Sequence, residues 1–299
     1  MTYLFSAVLF SVLVSVLLKL FPRHGIDTAQ AVTWNYLVAS LMCWLLLAPD
    51  LDSLRSPAAP WPTLLALAVI LPGLFLILAA AVRRAGIVRT DVAQRLSLLL
   101  SLAAAFAWFG ERAGSQKLLG LALGLLAVLA ILARPVAGSA GSPGAAGAET
   151  LGRAGAGLAL ICVWLGFALV DVLLKLVAQA GTPFAASLQV AFVLAFAGML
   201  SVQLWRHGSG RGRLAWRNLG AGLLLGAFNF GNIVCYVRAH QALPDSPAVV
   251  FATMNIGVVV LGTLVGVAVF AEPTSRWHRL GIALAIVAIA LIALAPRAA

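Results

Sequence analysis

A small polar cluster stands inside an apolar stretch in the first half of the chain. Arg95 follows Gln94 directly, and Asp91 lies one helical turn before Arg95. Near the centre of a bilayer such a charge costs about 2.5–3.5 kcal/mol on the insertion scale, so it usually faces a cavity or a partner. Arg95 and Gln94 are therefore predicted to bind an anionic group of a substrate. The alternative is a salt bridge between Asp91 and Arg95 on one helix, and both hold if the substrate exchanges with Asp91.

Amide and phenol groups share one helical face in the second half. Asn229, Asn232 and Tyr236 have the spacing i, i+3 and i+7, which predicts a polar side on a helix. These groups either bind a polar solute or hold membrane helices together by hydrogen bonds. Asn255 and Trp34 are further cavity candidates on other apolar segments, although aromatic side chains such as Trp34 also pack between helices or anchor them at the interface.

A second charged pair lies near the end of an apolar segment in the second half. Asp171 and Lys175 are one turn apart, where the first half has Ser15 and Lys19. A carboxylate in only one half is a candidate for proton coupling, and the alternative is that Asp171 simply neutralises Lys175. Asp171, Lys175, Lys19 and Asp91 are the predicted coupling or gating residues.

The sequence lacks a recognisable catalytic or metal-binding set. It has no phosphate-binding glycine loop and no HExxH motif, and its histidines lie at or near segment ends. The three cysteines lie in apolar segments without metal-ligand spacing. No enzyme activity, metal or cofactor is predicted, and Glu111 and Glu272 are interpreted as structural caps or loop contacts.

The composition predicts an all-α integral membrane protein. Of 299 residues, 63% are hydrophobic and 10% are charged, which leaves too few polar side chains for a soluble surface. Roughly 20 apolar residues cross a bilayer as a helix. About ten such segments are predicted, at 3–20, 29–48, 62–82, 88–109, 116–133, 155–177, 184–205, 216–237, 246–271 and 278–295.

Two apolar stretches share almost the same eight residues. LVSVLLKL at 13–20 recurs as LVDVLLKL at 169–176, and Gly25 and Gly181 keep the same spacing. The match predicts a duplication. The two five-helix repeats are predicted at 1–135 and 154–299, and a Gly/Ala/Ser-rich linker at 136–153 joins them. Because five is odd, the second repeat is predicted to enter the membrane with inverted polarity, and Lys19 and Lys175 to lie at opposite membrane faces.

Small residues and one proline carry further predictions about the helices. Gly-xxx-Gly pairs begin at Gly120, Gly222 and Gly262, and such pairs let helix backbones approach closely. Pro72 and Gly73 interrupt the third segment, which predicts either a broken helix that lines a cavity or a tolerated kink.

The ends of the two halves resemble the EamA-like branch of the drug/metabolite transporter superfamily. FGER at 109–112 and FAEP at 270–273 close the fourth helix of each half, and Gly120 and Gly281 lead the fifth. The resemblance implies ten helices as two inverted five-helix repeats around a central cavity, lined mainly by helices 1, 3, 4, 6, 8 and 9. It also implies that the cavity opens alternately to either side of the membrane.

The formal net charge of +11 is interpreted as contact with lipid headgroups, and no nucleic-acid partner is predicted. Thirteen basic residues lie in the odd-numbered connections, against six in the even ones and at the C-terminus. By the positive-inside rule this places both termini outside, whereas the family commonly has both in the cytoplasm, so the orientation stays open.

These features predict a secondary transporter of small polar solutes, either amino-acid-like or anionic. It would act as an exporter or exchanger in a bacterial inner membrane, as a monomer or homodimer, with proton coupling as an option. Efflux of lipophilic cations is the alternative within transport, and Asp171 would then matter more than Arg95. A lipid-handling or scaffolding protein is the alternative of another class, and it predicts satisfied polar groups without a cavity.

Overall fold

The computed structural model describes residues 2–56, 59–100, 103, 115–132, 146–243 and 247–294. Within this part of the chain it is entirely helical, with ten α-helices, two short 3₁₀ helices and no strand. The α-helices are α1 (Thr2–Leu20), α2 (Thr28–Leu47), α3 (Trp61–Ala85), α4 (Ile87–Arg95), α5 (Ser115–Leu132), α6 (Ala146–Gln179), α7 (Phe184–Gly208), α8 (Trp216–Ala242), α9 (Pro247–Ala268) and α10 (Arg276–Ala293).

Six of these helices are long and apolar enough to cross a bilayer, namely α1, α2, α3, α6, α7 and α8. Shorter apolar runs lie within α5, α9 and α10. The predicted all-helical, multi-pass membrane fold is therefore confirmed. The arrangement of ten spans as two inverted repeats stays a prediction, and the helix contacts described below bear on it.

α3 continues through Pro72, in agreement with the single helix predicted at 62–82, so the broken helix predicted as one option there is not found. Two other segments differ from those expected. The predicted helix at 88–109 is interrupted by a turn at Leu96 and Ser97, and helical residues resume at Leu98. α6 begins at Ala146, inside the predicted linker. Glu111 lies outside the described residues.

Most helix contacts join the two halves of the chain. α1 packs against α8 as α6 packs against α3, and α2 packs against α8 as α7 packs against α3. The contact of α1 with α9 likewise recurs as that of α6 with α4, while α2 packs against α7, α4 against α9 and α5 against α10. When the helices are numbered from one to five within each half, a contact between two different numbers occurs twice, with the halves exchanged. The other contacts join helices of the same number. The two halves therefore pack against each other in a symmetric pattern.

Glycines permit a close approach of the α2 and α8 backbones. A Cβ atom on Gly222 would lie 2.5 Å from the Ala31 carbonyl oxygen, and one on Gly226 would lie 2.9 Å from that of Asn35. Real Cβ atoms do not approach that closely. The prediction that this Gly-xxx-Gly pair brings two helices together is confirmed.

A polar cluster ties the start of α2 to α7 and α8. Asp27 is the N-cap of α2, and its Oδ1 accepts a hydrogen bond from the Ala29 backbone N–H at 2.9 Å. Its Oδ2 accepts from Arg206 at 3.0 Å. Asn218 accepts from the Asp27 backbone N–H at 3.1 Å and donates to Gln30 at 2.8 Å. One carboxylate therefore both caps a helix and holds the neighbouring helices to it.

Asp27→Ala is expected to destabilise the protein by about 1–2 kcal/mol, because α2 loses its cap and Arg206 loses its anionic partner. Thermal unfolding of the purified protein measures the change. Asp52→Ala is the matched control, since Asp52 is 79% exposed and pairs with Arg55, which is also exposed. Equal unfolding temperatures for the two variants would contradict the capping role.

Candidate functional site

α1 and α4 meet through polar groups spaced one turn apart on both helices. Ser11 Oγ accepts a hydrogen bond from Arg95 Nη2 at 2.8 Å, and Ser15 Oγ donates to Asp91 Oδ1 at 2.9 Å. The contacts step forward along α1, from Ser11 to Ser15, while they step back along α4, from Arg95 to Asp91. The two helices therefore run antiparallel. The next position on α1, Lys19, lies at the N-terminal end of α4.

Glu272 joins three elements at that end. Its carboxylate forms an ion pair with Lys19 and accepts hydrogen bonds from the backbone N–H groups of Ile87 and Val88, at 2.7 and 3.1 Å. Both charged side chains are nearly buried, at 10% exposed for Glu272 and 13% for Lys19. A carboxylate is favourable there because the free N–H groups of a helix start carry partial positive charge. We call Glu272, Lys19 and these two N–H groups the Glu272 latch.

The backbone around the latch has no room for extra atoms. Gly86 precedes α4 with φ at 88°, and a Cβ there would lie 2.6 Å from Glu272 Oε2. Phe270 adds a further contact, because Lys19 Nζ lies 4.6 Å from its ring centroid. Glu272 was predicted to be a cap or loop contact, and it caps α4, a helix that is distant in sequence.

α4 ends at Arg95 because the chain leaves the helical hydrogen-bond pattern at Leu96. Ser97 N–H donates to the Gln94 carbonyl and Leu99 N–H to that of Leu96, both three residues back. The Leu96 carbonyl also accepts from the Trp164 indole of α6 at 2.9 Å. A broken helix is tolerated at membrane depth where neighbouring groups satisfy the freed backbone. Trp164 does so here, beside Arg95.

A polar cavity of about 240 Å³ lies at this break. Arg95 is half-buried in its wall, and its Nη1 lies 3.5 Å from Asn255 Oδ1. α4 and the residues just after it, together with α6, α8 and α9, supply the lining, which consists of Gln94, Arg95, Ser97, Leu98, Phe167, Asp171, Asn232, Tyr236, Met254 and Asn255. These four helices belong to the set that the family resemblance implied. The cavity holds a cation, an anion, amides and apolar groups within reach of one small molecule.

Six of the predicted site residues come together in this cavity: Gln94, Arg95, Asp171, Asn232, Tyr236 and Asn255. Asn232 also donates to the Ala7 carbonyl at 2.7 Å, so it ties α8 to α1. Their role in binding stays a prediction, since a lining position permits contact with a solute without demonstrating it.

The remaining candidates lie elsewhere. Asn229 donates to Asn35 of α2 at 3.1 Å, which is the interhelical bonding foreseen as its alternative. Trp34 packs against Phe196 of α7, with ring centroids 6.2 Å apart. Lys19 belongs to the Glu272 latch, and Lys175 lies one turn beyond Asp171 on α6.

The salt bridge between Asp91 and Arg95, which was the alternative interpretation of this pair, does not form. Arg95 donates to Ser11 and Asn255, and Asp91 accepts from Ser15. Partners on α1 and α9 compete for both side chains and hold them apart. The guanidinium therefore extends toward the cavity, away from the carboxylate of its own helix.

Sequence reasoning missed several residues of the site, chiefly Ser11, Trp164 and Phe167. Ser11 had a usable signal, because Ser11, Ser15 and Lys19 form a polar stripe with four-residue spacing on an otherwise apolar helix. Phe167 and Ser11 occupy equivalent positions of the two repeat copies, four residues before Asp171 and Ser15. Trp164 gave no signal, since its role depends on a break in another helix.

Among the described residues, no group of three or more His, Cys, Asp or Glu side chains is placed to hold a metal ion. Apolar helices long enough to cross a membrane, packed around a cavity with polar and apolar walls, define a multi-pass membrane protein. Residues 1–133 match the model of the EamA-like transporter family. Residues 1–133 therefore belong to this family, which is part of the drug/metabolite transporter superfamily, and the predicted resemblance is confirmed over these residues.

Two further proteins are similar over nearly the whole chain. An uncharacterized protein of Haemophilus influenzae is 38% identical over 297 residues, which cover 96% of this chain and 95% of the relative. A crystal structure of another protein superposes with a TM-score of 0.52 and 18% identity, and it covers 96% of both chains. At that identity the likeness concerns the fold alone.

Proposed function

We propose that the protein is a secondary transporter of small polar solutes that carry an anionic group, such as amino-acid-like molecules and small carboxylates. The observation that carries the proposal is the position of Arg95 in the cavity wall, with its guanidinium held between Ser11 and Asn255. Arginine presents several N–H donors in a fixed plane, which suits a carboxylate or phosphate. Asn232 and Tyr236 offer further hydrogen bonds to the rest of the solute.

Alternating access by two inverted repeats is the mechanism that the helix contacts support. Each repeat packs mainly against the other, and the contacts of one half recur in the other. Rocking of two such halves about a site at their interface exposes the cavity to each side in turn. We propose transport across a bacterial inner membrane, in line with the bacterial relative.

Efflux of lipophilic cations is the second candidate. Asp171 lines the same cavity as Phe167, Leu98 and Met254, and a carboxylate beside apolar and aromatic groups suits an organic cation. The two candidates differ in which charge recognises the solute, Arg95 or Asp171. A scaffolding role without transport is disfavoured by the cavity itself, which that role does not require.

Uptake into liposomes that contain the purified protein tests the proposal. The panel comprises labelled acidic and neutral amino acids, dicarboxylates and lipophilic cations, and liposomes without protein are the control. We expect saturable uptake of at least one solute with a carboxylate. Uptake of cations alone would favour the second candidate, and equal rates in loaded and empty liposomes would overturn transport.

A further inference from the structure

Asp91 is the only fully buried acidic residue in the described part of the chain, with 2% of its surface exposed. Its Oδ1 accepts from Ser15, whereas its Oδ2 has no hydrogen-bond partner among the described residues. Oδ2 lies against Gly262 of α9, where a Cβ atom would overlap it. This carboxyl group therefore has one satisfied oxygen and one buried oxygen without a donor.

No charged group among the described residues forms an ion pair with Asp91. Arg95, on the same helix, directs its guanidinium to Ser11 and Asn255. Lys19, on α1, pairs with Glu272 from the segment after α9, and Glu272 itself adds a second negative charge near Asp91. An ionised carboxylate without an ion-pair partner is costly to bury. A proton on Oδ2 removes that charge and breaks no other bond.

Asp91 also lies between the two functional ends of α4. The Glu272 latch holds the first turn of the helix, and Arg95 ends the helix in the cavity wall. An anion bound to Arg95 would offset the positive field that favours the ionised form of Asp91. Binding of an anionic solute and binding of a proton would then favour each other, and this coupling is reciprocal by thermodynamic linkage.

We propose that Asp91 binds the proton that couples transport, and that it takes up this proton when an anionic group of the solute binds Arg95. One proton converts the Asp91 carboxylate to the neutral acid, so solute and proton cross the membrane in the same direction. The inference rests on the proposed function for the solute. It places coupling at Asp91 in preference to Asp171, because Asp171 is exposed in the cavity wall, where solvent stabilises its charge.

Infrared spectroscopy tests the protonation without any solute. The purified protein in lipid nanodiscs is titrated with acid while the carbonyl band of a protonated carboxyl group is recorded. We expect a band that titrates in the wild type and in Asp171→Asn and is lost in Asp91→Asn. Absence of the band in the wild type, or its persistence in Asp91→Asn, would overturn the proposal.

Ser15→Ala is a second variant, which keeps the test decisive if Asp91→Asn fails to fold. It keeps the carboxyl group but removes the donor to Oδ1, so the same band is expected to titrate at a different pH. An unchanged midpoint in Ser15→Ala would count against Asp91 as the source of the band.

Transport provides the second readout. With an acidic solute that the wild type carries, an inward proton gradient is expected to raise accumulation by up to about tenfold per pH unit for one proton per solute. Asp91→Asn is expected to lose this increase in accumulation. A variant that still shows the increase would overturn the proposal. If the wild type carries no solute while the infrared band behaves as expected, the proposed function fails but the protonation site stands.

Discussion

Arg95→Ala is expected to weaken solute binding by about 10- to 150-fold, since a hydrogen bond to a charged group contributes about 1.5–3 kcal/mol. The change removes the cation of the cavity and leaves the Asn255 carboxamide oxygen without this donor. The concentration dependence of uptake into proteoliposomes measures the effect. Arg95→Lys keeps the charge but loses the planar array of donors, so we expect an intermediate loss.

Arg55→Ala is the matched control for Arg95→Ala. Arg55 is 85% exposed and pairs with Asp52 at the surface, so its removal is expected to change uptake by less than about twofold and stability by less than about 1 kcal/mol. Wild-type uptake by Arg95→Ala would contradict an anion site at Arg95. Stimulated uptake of lipophilic cations by that variant would instead favour recognition through Asp171.

Glu272→Ala is expected to cause the largest loss of stability, about 3–5 kcal/mol, because it leaves Lys19 nearly buried without its partner. The variant also frees the N–H groups of Ile87 and Val88 at the start of α4. A fall in the thermal unfolding temperature of roughly 5–10 °C measures the loss. A fall no larger than that of Asp52→Ala would contradict the role of the Glu272 latch.

A double-mutant cycle separates the two functions of Glu272. Glu272→Gln keeps an acceptor for the α4 backbone but loses the charge, and Lys19→Met removes the cation alone. If the ion pair holds α1 to the segment after α9, the double variant loses less stability than the sum of the single variants. Additive losses would show that the cap on α4 acts without Lys19.

The sequence was sufficient for the membrane class, the family and the main cavity cation. Apolar length identifies helices because the bilayer sets their minimum span, and a charge such as Arg95 within such a helix is conspicuous. It was insufficient for the partners of Asp91 and Arg95. Four-residue spacing on one helix favoured a local salt bridge, but Ser11, Ser15 and Asn255, brought close by the fold, satisfy both side chains.

The position of the helix break shows a second limit of sequence reasoning. Pro72 and Gly73 are the strongest local signals for a break, yet α3 runs through them, and the described chain breaks after Arg95 where no proline or glycine stands. The Trp164 indole on α6 satisfies the Leu96 carbonyl at that point. Such a break depends on a donor far away in sequence, which local residue preferences do not report.

The polar stripe on α1 has a consequence for movement. Ser11, Ser15 and Lys19 are spaced by one turn, as are Arg95, Asp91 and the start of α4. If α4 slid along α1 by one turn, about 5.4 Å, Lys19 would meet Asp91 and Ser15 would meet Arg95. The two helices therefore have a second possible register in which polar groups again face polar groups. In that register Lys19 pairs with Asp91 in place of Glu272. One-turn shifts of this kind allow packed helices to switch between discrete states.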